Sequence, residues 1–591
     1  MDEKTQETLL RGMSVSKGIA YGEACVILHS SVEVPMFEIK DSERESEIAK
    51  FQEAILKTRR DIDKLKSELS ESVGESEASI FDAHLLVLED VAIMQETMSM
   101  FERQNYNIGY CYSSTVKKFI AAFEKIDDPF IKERISDLRD VSKRVLDNML
   151  GRNSAQIGAF ADAVVLVSGD FAPSDFALVD KNKILAIVSE KGSQTSHTAI
   201  LARSIGVPCV VGIEDVADKI SSGQTVLIDG YNGSVVVSPL KSTLNRYTEL
   251  ERVHQEIHTL FDSSLPYPSE TPDGKKFSIC INISGASDIT PRDMSSCDGV
   301  GLFRTENFFL NCGDFPDEET QYMAYSDAVK SALGKPVVIR TLDLGGDKNL
   351  RLMKEISKEE NPFMGYRAIR FCLDHRELFM QQLRAILRAS ADGDVRILIP
   401  MICSIREVER ARIMIEDAKS QLSASGIPYN HDVKVGVMIE VPSAAITTDI
   451  IARACDFVSI GTHDLIQYLL AVDRVNEMVA HLYEPTHPAV VRTLNMIVSA
   501  AHSAGIPVCV CGELAADPTF APLLLGMGVD EFSMSPKSVS EIKFLLRKIK
   551  MNDAKRLRDE VLALQRSRHI ISHLRSFHYE MMEPFLSSEH L

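Results

Sequence analysis

His197 stands in the run Gly192-Ser193-Gln194-Thr195-Ser196-His197-Thr198, just ahead of the apolar-periodic stretch Ala199-Ile200-Leu201-Ala202-Arg203. A glycine-bearing loop followed by Thr195 or Ser196 as N-cap marks a helix start, which places one imidazole in the first helical turn. The positive end of the helix dipole disfavours a second positive charge there and biases the ring toward its neutral, nucleophilic form. A phosphoryl group carried on that ring would gain from the same dipole and from the free backbone N–H donors. The position therefore suits making and holding phosphohistidine. A histidine packed at a helix start is the other reading that these residues alone allow.

A second set of reactive side chains recurs at the ends of short apolar runs in the C-terminal half. Those runs read as strands at Phe277 to Ile283, Gly299 to Phe303, Val337 to Thr341, Arg396 to Pro400, Val435 to Glu440, Phe457 to Gly461, Pro507 to Cys511 and Asp530 to Met534, with helices between them. Eight strand and helix units match a (β/α)8 barrel, with a doubly wound open sheet as the rival, since alternation alone does not close a barrel. In a barrel the chemistry gathers at the carboxyl ends of the strands. Arg304 and Glu306 end the second strand, Arg340 the third, Glu440 the fifth; His463 and Asp464 follow the sixth, and Cys511 and Glu513 end the seventh. Arg367 and Arg474 fall in the loops after strands three and six. Arginine forks bind phosphate and carboxylate oxygens bidentately. Glu440 and Asp464 are hard donors, few enough to leave room for water and substrate oxygens, and so suit Mg²⁺. Any one of these residues could be a surface ion pair; the set together points to a small, highly anionic ligand.

The elements that must position them follow from patterning. From about Ser42 to Asn153 the sequence is helical and charged, with long runs at Glu43 to Leu69 and Ile80 to Arg103, which predicts a helical bundle. Strand-like segments flank it: Ile19 to Leu28 before, then Ala163 to Val167, Ile184 to Ser189, Cys209 to Val211, Thr225 to Ile228 and Ser234 to Val237. The simplest architecture is an α/β domain into which the bundle is inserted. Thr243 to Leu260 reads as a connecting helix.

The whole chain has 591 residues, enough for several domains, and its 45% hydrophobic and 25% charged content is that of a soluble protein. A net charge of −20 argues against nucleic acid or an anionic membrane as the general partner and allows a basic protein partner. The polar start Met1 to Gln6 is unlike a signal peptide and no apolar run is long enough to insert in a membrane, so a cytoplasmic protein is expected. The eleven cysteines are scattered singly and read as buried reduced thiols, with Cys509 and Cys511 pointing to one face of a strand.

In order and spacing the motifs resemble the enzyme I family of the bacterial phosphoenolpyruvate-dependent sugar phosphotransferase system. The residues that carry the likeness are Gly18-Ile19-Ala20, Thr195-Ser196-His197-Thr198, Gly301 to Glu306, Arg340 to Lys348, Asn361-Pro362-Phe363, Ser459 to Thr462, Val472-Asp473-Arg474 and Cys511 to Leu514. The resemblance implies that His197 attacks phosphoenolpyruvate, releasing pyruvate, and donates the phosphoryl group to a histidine of the carrier protein HPr. It implies that Arg304, Arg340, Arg367, His463 and Arg474 bind substrate, that Mg²⁺ sits on Glu440 and Asp464, and that Cys511 protonates the enolate carbon. A packed strand cysteine is the other reading that Cys511 allows. The implied domains are a phosphohistidine α/β domain at 10–38 and 154–240, an all-α HPr-binding domain at 39–153, a linker helix at 241–268, and a phosphoenolpyruvate-binding TIM barrel and dimerisation domain at 269–575. A histidine serving both barrel and carrier requires a hinge, placed near Pro239 and Thr243 to Leu260. The stretch Glu75, Glu77, Ile80, Phe81, Asp82, His84, Leu85 and Leu86 mixes acidic and apolar groups as a docking face would, or as an ordinary amphipathic helix does.

Three residues depart from the family pattern. His463 replaces the asparagine of Gly-Thr-Asn-Asp, Ser193 replaces the second glycine before the histidine, and Lys17 stands where proline is common. They leave a second expectation open: a regulatory or weakly active relative that binds HPr or phosphoenolpyruvate with little turnover. A pyruvate-phosphate dikinase-like enzyme would need a nucleotide-binding domain with a phosphate-cradling glycine loop before His197, and none is read there. A nitrogen-regulatory variant would need a sensory domain before Gly18.

Overall fold

The computed structural model describes residues 7–27, 34–72, 80–124, 129–151, 163–171, 175, 183–192, 197–312, 315–345, 364–474, 476 and 478–585. The chain divides into two compact units, Met1–Arg252 and Val253–Leu591, and the division falls inside one helix, Lys241–Asp262.

The first unit is built on a mixed sheet. Its strands are β1 (Thr8–Arg11), β2 (Met13–Ser16), β3 (Ile19–Ile27), β4 (Val164–Ser168), β5 (Ile184–Ser189), β6 (Cys209–Val211), β7 (Thr225–Asp229) and β8 (Ser234–Val237), in the order β1-β8-β7-β3-β4-β5-β6-β2. β3, β4, β5 and β6 run parallel, and β4 is a continuous buried Val-Val-Leu-Val-Ser run, as a strand covered on both faces requires. The strand pattern read from sequence is present with two additions. β1 and β2 are short antiparallel partners of β8 and β6, β1 largely exposed and β2 buried only at Val15 and Ser16, with no apolar run to announce them.

Between β3 and β4 the described residues form the α-helices Arg44–Ser72, Ile80–Leu88, Val91–Arg103, Ile108–Phe123 and Pro129–Met149. Ile62, Phe81, Phe101, Ile108, Val141 and Val145 close their core. The run read as one helix from Ile80 to Arg103 is two, because Asp90 turns its carboxylate onto the N–H groups of Ala92 and Ile93 and starts a new helix. The stretch read as a docking face or an ordinary amphipathic helix has buried and exposed positions. Phe81 and His84 are fully buried, His84 lying 3.3 Å from Asp137, while Leu86 is exposed; Glu75 and Glu77 lie outside the described residues.

The second unit is a closed barrel of eight parallel strands: β9 (Ser278–Ile283), β10 (Gly299–Arg304), β11 (Val337–Arg340), β12 (Val395–Ile399), β13 (Lys434–Ile439), β14 (Phe457–Ile460), β15 (Val508–Val510) and β16 (Glu531–Met534). β16 pairs back onto β9 and completes the ring, which removes the open-sheet rival. Side chains alternate between two cores. Ile281, Ile339, Ile397, Val437, Ile460, Val510 and Phe532 face the helices, and Leu302, Val338, Leu398, Met438, Phe457, Cys509 and Cys511 fill the interior. The described cysteines are free thiols.

Candidate active site

In the first unit, β5 and its parallel neighbour β6 are joined through the helix His197–Ile205, so His197 opens a crossover helix following the carboxyl end of β5. That is the local setting expected from Gly192, which takes φ +135°. Ser193 to Ser196, which hold both N-cap candidates, lie outside the described residues.

In the barrel the sequence-derived candidates converge at the carboxyl ends of the strands. Arg340, the last residue of β11, donates to Glu306 at 2.8 Å and pairs with Asp343 Oδ2 at 3.2 Å. Arg367 donates through Nη2 to Asp343 Oδ1 at 2.9 Å and to Asp464 Oδ2 at 3.4 Å, and through Nη1 to the Tyr468 hydroxyl at 3.4 Å. Asp343 thus bridges the two guanidiniums, one oxygen to each. Both arginines are nearly closed to solvent, and the surrounding carboxylates outweigh desolvation and hold them firmly charged.

Glu440 follows β13 and is buried, its Oε1 accepting the Met401 N–H at 2.6 Å. Burial, then the charges of Asp464 and Asp343, push its carboxyl up to about 8, against the pull of Arg340 and Arg367. Asp464 lies in the first turn of the helix Thr462–Leu470. Close steric supports fix the set. A Cβ on Gly461 would meet Glu440 Oε2 at 2.5 Å, and Gly345, at φ +146°, lets the chain pass against Arg367. Met401 and Ala368, both non-glycine, take φ +57° and +53°, so backbone strain is stored where the chain presents an N–H to Glu440 and where it leaves Arg367.

Cys511 follows β15, is 3% exposed, and its Sγ accepts the Ser459 hydroxyl at 3.1 Å. Burial pushes the thiol up, against the Ser459 hydroxyl and Arg340, so it is a proton-bearing thiol rather than a thiolate. Arg304, at the end of β10, is exposed and acts electrostatically on Cys511 and Glu513. His463 Nε2 lies 3.1 Å from Glu513 Oε2, and exposed Arg474 acts on Glu513 and Tyr483. Residues 346–363, which include Asp347, Lys348 and the Asn-Pro-Phe run, lie outside the described residues.

The donor set at Glu440 and Asp464 fits a hard cation. It consists of carboxylate oxygens, that of Glu440 buried just after β13 and that of Asp464 in the first turn of the helix after β14. Sequence reading did not single out Tyr468, Met401 or Gln382, whose Oε1 accepts the Leu342 N–H at 3.0 Å and ties down the loop after β11. Tyr468 could have been found: it lies four residues after Asp464 on one helix face.

This barrel and its charged mouth are those of a phosphoenolpyruvate-utilising enzyme. The chain matches the PEP-binding domain of that family over residues 262–551, its N-terminal domain over 11–134 and its mobile domain over 160–233. It is 36% identical to a phosphoenolpyruvate-protein phosphotransferase of Bacillus sp. (strain S), over 97% of this chain and 98% of that protein. It is 38% identical to one of Haemophilus influenzae, over 94% and 96%. A solution structure of Enzyme I (nEIt) is 32% identical and spans 42% of this chain and 99% of that one, at a TM-score of 0.36. The chain belongs to the phosphoenolpyruvate-protein phosphotransferase family.

Proposed function

We propose that the protein takes the phosphoryl group of phosphoenolpyruvate onto His197, releases pyruvate, and passes the group to the histidine of HPr. The observation that carries this reading is Asp343 bridging Arg340 and Arg367 beside Glu440 and Asp464. Two guanidiniums already fixed and dry suit a small ligand bearing phosphate and carboxylate. Positioning and charge neutralisation of this kind supply most of the catalysis in phosphoryl transfer.

Arg304 and Arg474, both exposed, would close on the ligand from the rim, and His463 would face its phosphate. Glu440 and Asp464 would hold Mg²⁺, which when bound supplies further neutralisation of phosphate charge. Cys511 would give its proton to the methylene carbon as phosphorus leaves, turning the enolate into pyruvate. Residues 269–575 would bind substrate and pair as a homodimer, 39–153 would dock HPr, 10–38 and 154–240 would carry His197, and 241–268 would link the parts. No described helix is long and apolar enough to cross a membrane, which accords with action in the cytoplasm on soluble partners. A slow, regulatory relative is the second reading, favoured by the His463–Glu513 pair alone.

Incubation of the whole chain with labelled phosphoenolpyruvate and Mg²⁺ tests the reading. Acid-labile, base-stable phosphate should appear on His197 and pass to HPr, and His197→Ala should lose both while still binding phosphoenolpyruvate. Folded protein that takes no label favours the regulatory reading.

A further inference from the structure

An acid that gives up its proton each turnover must be reloaded, and Cys511 is poorly placed to be reloaded by bulk water. It is 3% exposed and packs with Leu302, Val338, Leu398, Met438, Phe457 and Cys509 in the barrel interior. Substrate and the incoming imidazole would occupy the mouth during the reaction. Within the interior, polar side chains form a line across three adjacent strands. Ser459 of β14 stands opposite Cys509 of β15, which stands opposite Glu531 of β16. Register partners on parallel neighbours project to the same side of a sheet, so all three point inward with Cys509.

The Ser459 hydroxyl donates to Cys511 Sγ at 3.1 Å, and strand register sets Cys509 beside Ser459 and Glu531 beside Cys509. Hydrogen bonding from Ser459 lowers the proton affinity of Cys509, and hydrogen bonding from Cys509 and from Cys280 of β9 lowers that of the Glu531 carboxyl. Glu531 is the first residue of β16, at the end of the barrel away from Cys511, and is only half-buried. Desolvation of its carboxyl raises its affinity for a proton, against the Cys509 hydrogen bond and the charge of Arg396.

We infer that Glu531, Cys509 and Ser459 form a proton relay through the barrel interior that reloads Cys511 from the end of the barrel opposite the active site. This rests on Cys511 being the acid of the proposed reaction. When the Cys511 S–H bond breaks and a C–H bond forms on the enolate, a thiolate remains. The Ser459 O–H proton moves to that sulfur, the Cys509 S–H proton to the Ser459 oxygen, the Glu531 carboxyl proton to the Cys509 sulfur, and water restores Glu531. One proton enters and one ends on pyruvate, with no change of oxidation state. Glu531, Cys509 and Ser459 act through Cys511 and are positioning residues; none touches substrate.

The test compares two exchanges in D₂O on the whole chain at equilibrium with phosphoenolpyruvate, pyruvate and Mg²⁺. Carbon label passing between pyruvate and phosphoenolpyruvate reports the transfer chemistry, which the resident thiol proton can support. Deuterium entering the pyruvate methyl group reports exchange of that proton with solvent. Cys509→Ala and Glu531→Gln should each lower the ratio of deuterium entry to carbon exchange by about fivefold or more, and Cys509→Ser, which restores a donor and acceptor, should bring it back to within about twofold. A merely structural role would slow both exchanges together and leave the ratio alone. Unchanged ratios in Cys509→Ala and Glu531→Gln overturn the relay and mean reloading from the mouth. Absence of carbon exchange in the unmodified protein overturns the proposed function itself.

Discussion

Arg340 and Glu306 form an ion pair at 2.8 Å, with side chains 10% and 2% exposed. A pair this dry adds little net stability, yet removing one partner strands the other charge. Asp343 would remain on Arg340 at 3.2 Å, which limits the damage. Glu306→Gln should therefore cost about 1–3 kcal/mol in the unfolding of the barrel, a charged hydrogen bond's worth. The guanidinium would also lose one of the two anchors that aim it, so labelling of His197 should fall about tenfold. Calorimetry and rapid-quench labelling measure the two effects. Full labelling speed would mean Asp343 alone positions Arg340.

Gly461 is held by sterics rather than by backbone conformation, since its φ is −84°. A methyl group there would press on Glu440 Oε2 and on Met438 Sδ, at 2.5 and 3.0 Å. Both atoms would have to shift, and any shift of the carboxylate reaches the cation site. Gly461→Ala should leave the barrel folded, destabilised by about 1–3 kcal/mol as overpacking is, and raise the Mg²⁺ concentration needed for labelling. A Mg²⁺ titration of the labelling rate shows this; an unchanged midpoint would remove Glu440 from the cation site.

Much of the barrel was legible because its strands are short β-branched runs buried on both sides, and a run such as Val435 to Glu440 carries its own boundaries. The charged mouth was legible because strand ends in a barrel share one rim. β1 and β2 were not, since four-residue edge strands, one largely exposed and the other with Val15 as its one buried apolar residue, lack an apolar signature. The break at Asp90 was missed because helix periodicity continues through it; only the acidic N-cap marks it. Asp343 lay within the Arg340 to Lys348 motif, but that it clasps two arginines at once depends on the return of Arg367, which no local pattern encodes. The stretch at Phe81 and His84 left a docking face and an ordinary amphipathic helix both open, and the burial of both residues, with His84 beside Asp137, depends on the neighbouring helix rather than on any local pattern.

His463 is a departure from the asparagine that the family resemblance leads one to expect, and its Nε2 faces Glu513 at 3.1 Å. With Nε2–H donating to that carboxylate, a neutral ring turns Nδ1, an acceptor, toward any phosphate. An asparagine amide would offer N–H donors instead. His463→Asn should raise the labelling rate several-fold, with stability changed by less than about 1 kcal/mol, since the side chains are 28% and 84% exposed. Stopped-flow labelling with a thermal melt checks both. A rate unchanged or lower would mean the rim has adapted to histidine.

Glu318 opens the helix Glu318–Ser331 and clasps the helix Arg376–Ala389, accepting from Arg384 Nε at 2.6 Å and Arg388 Nη1 at 2.9 Å. Desolvation raises its carboxyl, but the two guanidiniums prevail and hold it below the ordinary range. A depressed carboxyl binds fewer protons folded than unfolded, so its stabilisation is complete above the unfolded value of about 4.3 and is lost as pH falls through the folded one. Glu318→Gln should thus cost about 1–2 kcal/mol at pH 7, a figure kept small by its partial exposure. The gap should narrow as unfolding is followed by denaturant titration from neutral pH down to the acid side of the carboxylate range. A gap that stays constant with pH would mean the two arginines hold these helices together through packing of their stems, Arg388 over the Tyr322 ring at 4.2 Å included, rather than through charge.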